Sequence, residues 1–392
     1  MGGHFTHVAH TRRVTRSHAF LAAVLTAAAL ALSIGPSSAT TTNDSSHPAR
    51  FAVSAAAAGE LPPVRHVFVI NIENKGFSRT WGSTSAAPYL AKTLRARGVL
   101  LSSYYATAHR SQPNYIAQIS GQGPDSQMQA DCKVFSDFVK TGTAEPGQLR
   151  GNGCVFPAGT PTVVGQLHAH GLSWKGYLGD MGSTCRHPAV GKQDTAFSAK
   201  IHDQYATRHN PFVYFHSIID RPAYCGANVV QLWHLGQDLK QISTTPNLSY
   251  ITPDLCDDGH DTPCVDGRPG GLASVDVWMK TYIPKILASP AFKQDGLLVI
   301  TADESDSPTR DSRACCGEGA STNAAQPGII GPGGGRIGAL VISPFTLAGT
   351  TSSTPYNHYS LLASIEDLFG YEHIGYARTL GLNRFGADVY SR

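Results

Sequence analysis

The chain has 392 residues, 41% hydrophobic and 15% charged, with a formal net charge of +3. That length and balance exclude a wholly disordered chain and suffice for one large core or two medium ones. Residues 1–39 hold three Arg and no Lys or acid, so the remainder is close to neutral and lacks the basic face that nucleic-acid binding needs.

Arg12, Arg13 and Arg16 precede an Ala-rich apolar run from Ala19 to Ile34 and a small-residue site near Ser37-Ser38-Ala39. This is the pattern of a secretory signal peptide over residues 1–39. The run is too short for a stable membrane span, so a secreted, extracellular protein is expected. Residues 40–62 are small and polar without a lasting period and read as a flexible leader, leaving 63–392 as one folded domain.

Short β-branched or aromatic runs then alternate with segments of helical period. Strands are predicted over 66–72, 172–180, 211–215, 248–254, 296–303 and 337–345, and helices over 87–98, 162–171, 275–289 and 358–370, with a further helix suggested by "NYIAQIS" from Asn114. The alternation predicts an α/β fold with a largely parallel central sheet and helices on both faces. Residues 307–336 interrupt the rhythm with about thirty residues of loop chemistry directly after Asp303-Glu304. Loops of that length in a compact domain are usually functional or disordered, and this one is expected at the rim of a site.

All eight Cys lie beyond residue 39, and an even count in an exported chain favours disulfides. Cys132 with Cys154 and Cys256 with Cys264 are candidate pairs, while the adjacent Cys315 and Cys316 are expected in two separate bridges to distant partners.

Four predicted strands end in polar clusters: Glu73-Asn74, Asp180, Asp254 with the Asp257–Asp261 acids, and Asp303-Glu304. Parallel strands would bring them to one edge, where open α/β sheets bind ligands. Carboxylates and an amide suit a hard divalent cation, Ca, Mg or Mn rather than Zn. A carboxylate at a strand end often only caps the next helix, so the number of clusters carries the inference. Ser111, in "HRSQPNYIAQISG", is a hydroxyl that a cation could activate, and it is equally suited to be the N-cap of the following helix, with Pro113 in the first turn. His260 stands in acidic company and His209 opens "HNPFVYF"; either could contact a phosphoryl oxygen or protonate a leaving alkoxide, and Asn114 is read as a side chain that orients phosphate.

The segments "HVFVINIENKGF", "APYLAKTLRARG", "YYATAHRSQPNYIAQISG", "HNPFVYF", "TPDLCDDGHD", "LLVITADESD" and "HYSLLASIEDLFG" resemble, in order, a secreted phosphoesterase family that includes bacterial acid phosphatases and phospholipases C on an alkaline-phosphatase-like fold. The resemblance implies a catalytic domain over 63–392 and a metal site formed by Glu73, Asn74, Ser111, Asp303 and Glu304. It implies Ser111 as nucleophile, His209 and His260 near the phosphate, and His358 in a family motif; the position of His358 suits a cap of its helix as well. The expected activity is an exported, metal-dependent phosphomonoesterase working through phosphoserine on a phosphorylated small-molecule or lipid substrate; a phospholipase C is the alternative. No GxSxG elbow supports a serine lipase. Arg110 and Ala302 depart from the family's usual Pro and aromatic, which bears on specificity rather than chemistry.

Overall fold

The computed structural model describes Gly2 and residues 61–391 other than Gly319, so the signal-peptide and leader readings lie almost wholly outside the described residues. One eight-stranded sheet organises the rest. Its strands in chain order are β1 (His66–Ile72), β2 (Val99–Leu101), β3 (Trp174–Leu178), β4 (Val229–Gln231), β5 (Leu248–Thr252), β6 (Gly296–Ala302), β7 (Ala339–Ile342) and β8 (Thr351–Ser352). They lie in the order β8-β2-β7-β6-β1-β5-β3-β4. Only β7 runs against its neighbours, pairing antiparallel with β6 and β2.

The central strands β1 and β6 are buried at every residue, as expected where both faces of a parallel sheet are covered. Successive side chains alternate between the faces. On β1, Phe68 packs on Phe292 of the Pro290–Asp295 helix, and Asn71, on the opposite face, donates to Gln118 of the Ser111–Ser120 helix at 3.0 Å. The helices therefore sandwich the sheet.

Several predicted elements differ in form. Residues 211–215 make a 3₁₀ turn over Pro211–Tyr214 instead of a strand: Pro211 lacks the N–H a ladder needs and its fixed φ starts a helical turn. The 87–98 segment is helical but wound as π and then 3₁₀ turns. Strands β2, β4 and β8, with three, three and two residues, are too short to give a periodic signal. The helix expected from residue 275 starts at Gly271.

All eight Cys are bridged, with Cys132–Cys154 and Cys256–Cys264 as expected and Cys185–Cys225 as a third pair. Cys315 and Cys316 bond to each other, against the expectation of two distant partners. The other six thiols are consumed among themselves, and Cys316 sits in a turn with φ 64°.

The 307–336 loop folds back onto the segment before the Ser111 helix. Gly334 donates to Ala106 and His109 to Pro327 through backbone bonds of 2.9 and 3.1 Å. Gly335, at φ 83°, has no room for a side chain: a Cβ would lie 2.5 Å from both the Asp311 carbonyl and Ser305 Oγ.

Candidate active site

The parallel strands β1, β5 and β6 end at one edge, and Glu73, Asp258 and Asp303 follow from them with no exposed surface. Ser111 is the first residue of a helix whose ten residues are all buried, ended by Gly121 at φ 65°. The N-cap position belongs to Arg110, which has φ 76° and no capping side chain, so Ser111 is not the cap. Its Oγ instead donates to Glu73 Oε2 at 2.9 Å.

Glu73 is the hub. Its Oε2 also accepts from the Asn74 amide at 3.2 Å and lies 3.4 Å from His209 Nε2, while Tyr115 donates to Oε1. Tyr115 stacks on the His209 ring with centroids 5.4 Å apart. The other ring nitrogen of His209, Nδ1, meets Asp258 Oδ2 at 3.1 Å, so the ring is held between two buried carboxyls. Asp303 Oδ1 accepts from the Asn74 backbone N–H at 2.8 Å, and Asn74 adopts φ 54°.

This cluster is electrostatically incomplete. Burial, followed by the charges of Asp303 and Asp258, pushes the Glu73 carboxyl well above its ordinary range, and burial does the same to Asp258. Burial, with Arg208 and His260 nearby, holds His209 well below the usual imidazole value. Asp303 Oδ2 and His209 Nε2 are buried without a hydrogen-bond partner. Lys75 reaches into the region, but its ammonium bonds the carbonyls of Glu73 at 2.9 Å and Gly259 at 2.7 Å. Burial side by side disfavours charge on these carboxyls, a bound cation would relieve that, and Asp303 Oδ2 and His209 Nε2 are left as donor atoms for one. Glu73, His209 and Asp258 bring one donor atom each within 4.8 Å of one another.

The other predicted residues are placed differently. Glu304 accepts from His109 Nδ1 and from the Arg110 backbone N–H at 3.2 Å, so it holds the turn before Ser111. Its carboxyl is raised to about 7, chiefly by burial. Asn114 is fully engaged: Oδ1 accepts from Thr107 and Ala108 N–H, both at 3.0 Å, and Nδ2 donates to the Ala108 and Arg110 carbonyls at 2.7 and 2.9 Å. That amide has no free donor to orient phosphate; it shapes the loop. His260 is bonded by Nδ1 to Asp261 at 2.7 Å and by Nε2 to Arg208 at 3.1 Å, at the wall of a cavity of about 800 Å³. His358 is not the cap of its helix, since Asn357 is; it donates from Nε2 to the Asp303 carbonyl at 2.7 Å. Asp180 and Asp254 bond backbone N–H groups elsewhere. Asp258, Tyr115 and Arg208 were not singled out in the sequence, where Asp258 is one of four acids in "DLCDDGHD" and Tyr115 reads as a core aromatic.

A model of the phosphoesterase family matches residues 83–372, and the chain belongs to that family. It is 28% identical over 359 residues to a phosphate-repressible acid phosphatase of Penicillium chrysogenum, covering 88% of this chain and 70% of that one. A probable acid phosphatase of Kluyveromyces lactis is 26% identical, covering 79% of this chain but only 59% of its own length. A phosphatidylinositol-3-phosphatase of Mycobacterium tuberculosis is 24% identical over 82% of both chains. A solved structure of an alkaline phosphatase superfamily protein from Vibrio parahaemolyticus overlaps 80% of this chain and 68% of its own, with TM-score 0.45 and 14% identity.

Proposed function

We propose that the protein is a metal-dependent acid phosphatase that hydrolyses phosphomonoesters through a phosphoserine on Ser111. The observation that carries this reading is the Ser111 hydroxyl on Glu73, at a helix start, among three carboxylates buried side by side. Glu73, Asp303 and His209 Nε2, with the Asn74 and Ser111 oxygens nearby, would hold a divalent ion. Oxygen donors outnumber the one imidazole, which favours Mg, Ca or Mn over Zn. When bound, such an ion lowers the proton affinity of a hydroxyl and neutralises phosphoryl charge.

The protein's own groups then divide the work. Ser111 Oγ attacks phosphorus in line, forming the Oγ–P bond as the ester P–O bond breaks and releasing its proton on the Glu73 side. At the helix start Gln112 N–H is taken by Asp131 and Pro113 has none, so the Ser111 N–H is the first-turn amide left for a phosphoryl oxygen. His260 is held at the cavity wall between Asp261 and Arg208, and the leaving alkoxide takes its proton from water in the cavity. Water then attacks phosphorus as the Oγ–P bond breaks, one of its protons passing to Oγ on the Glu73 side, which restores the serine and releases inorganic phosphate. Tyr115 and Asp258 are positioning residues for Glu73 and His209, and His109, Asn114 and Glu304 hold the turn that presents Ser111. Four disulfides support an exported enzyme.

The test is phosphate release from an aryl phosphomonoester beside the matching diester and phosphatidylcholine, with and without a chelator. Chelator-sensitive monoester turnover is expected; turnover confined to the diester or the phospholipid would overturn the reading.

A further inference from the structure

The 800 Å³ cavity beside the site carries positive charge that the chemistry at Ser111 does not use. Arg110, Lys133 and Arg208 all line it, and among the described residues none of the three has a carboxylate within ion-pair distance, although the other arginines flanking the molecule's acidic loops do. Arg208 is the telling one. It is 3% exposed, and it donates only to the Phe197 carbonyl at 2.5 Å and to His260 Nε2 at 3.1 Å. A guanidinium cannot shed its proton, so burying one without a carboxylate is costly unless an anion arrives. Lys133 lies 5.2 Å from the Phe197 ring centroid and Arg208 4.9 Å, so both cations are gathered over one aromatic side chain.

Two acids also face the cavity, and Arg208 and Arg110 act electrostatically on one of them, Asp131, so the acids offset two of the three cations and leave a positive excess. Asp131 accepts from the Gln112 backbone N–H at 3.1 Å, and Asp261 holds His260. The cavity joins the reaction centre through short links: Arg208 touches His260, Asp258 accepts from the His260 backbone N–H at 2.7 Å, and Asp258 bonds His209.

We infer that this cavity is a second anion subsite, so that the preferred substrate is a phosphomonoester whose alcohol portion carries another phosphate-class anion. The inference rests on the phosphomonoesterase reading for the first phosphate. A second phosphate seated between Lys133, Arg110 and Arg208 gains charge-assisted hydrogen bonds at one end of the molecule while the scissile group meets Ser111 at the other. A soluble bisphosphate and a lipid headgroup bearing both a monoester and a diester offer the same chemistry.

The experiment compares kcat/KM for fructose 6-phosphate and fructose 1,6-bisphosphate, with a phosphoinositide monophosphate in neutral micelles as a third arm. The bisphosphate is expected to be favoured by about tenfold or more at low salt, as one well-placed charge-assisted contact supplies. That preference should shrink in high salt, because Lys133 and Arg110 are exposed. Lys133→Gln should cut the bisphosphate-to-monophosphate ratio about fivefold through KM, and Lys133→Arg should restore it. Preference for the micellar lipid assigns the headgroup as the source of the second anion, and preference for the sugar assigns a soluble one. A ratio near one, or a ratio indifferent to Lys133→Gln, overturns the subsite while leaving monoester hydrolysis standing. Calorimetric titration of Ser111→Ala with the two sugars reads the subsite without turnover, so an enzyme inert towards every monoester would defeat the proposed function separately. Equal affinity for the two sugars would again overturn the subsite.

Discussion

Two groups of acids follow the carboxyl ends of the parallel strands, and they are built in opposite ways. Asp257 and Asp266 share Arg268, at 2.5 and 2.9 Å, and Asp254 accepts from the backbone N–H groups of Cys256 and Asp257 at 3.1 and 3.2 Å. Every charge there has a partner inside the protein. Glu73, Asp258 and Asp303 are instead sealed from water beside one another, with Asp303 Oδ2 and His209 Nε2 left unpartnered. The number of acids is the same in both, so counting them cannot tell a site from a structural loop. Uncompensated burial can.

The largest effect that tests this contrast is at Ser111. Ser111→Ala should lower monoester turnover by about a thousandfold or more while leaving the thermal midpoint close to wild type. An active variant would reduce Ser111 to a helix start. Next comes Asp303→Asn, expected to cost about a hundredfold in turnover. In chelator the same variant should melt at or above the wild-type temperature, since one of the crowded charges is gone. A clear fall in that midpoint would mean the cluster is satisfied without a cation.

A lone buried acid sharpens the comparison. Glu366 has no exposed surface, and burial, opposed only in part by the Ile374 backbone N–H and the Gln166 side chain, raises it to about 9. The folded protein thus keeps a proton that the unfolded chain releases above its ordinary value near 4.3, so stability should fall as pH rises from about 4.5 towards 9. Glu366→Gln should flatten that slope and raise the midpoint at pH 8 by about 2–4 °C. An unchanged pH–stability profile would show that Glu366 is ionised and solvated. The smallest effect belongs to the compensated group: Arg268 is exposed enough that Arg268→Ala should cost about 0.5–1 kcal/mol, read from thermal melts, with turnover changed less than twofold. A large loss of turnover there would erase the distinction between the two acidic groups.

The sequence made the parallel core legible because β1 and β6 are long, apolar runs, and it placed Glu73 and Asp303 at one edge because parallel strands leave no other choice. It did not separate Asp258 from Asp254 and Asp257, since their partners come from Arg268 and from His209, far apart in the chain. Asn114 and Glu304 were chemically apt but are occupied in holding Thr107, His109 and Arg110, a use that only packing reveals. The Cys315–Cys316 bond escaped because pairing depends on which other thiols are already taken.

The helix that begins at Ser111 is buried along its whole length, so the amides of its later turns are bonded within the helix and away from water. Such amides exchange with deuterated water only when the whole domain opens, whereas the turn-rich 307–336 segment can open by itself. The clock of isotope exchange should therefore read slowest within a few residues of the reacting hydroxyl and fastest in the loop that braces it from outside.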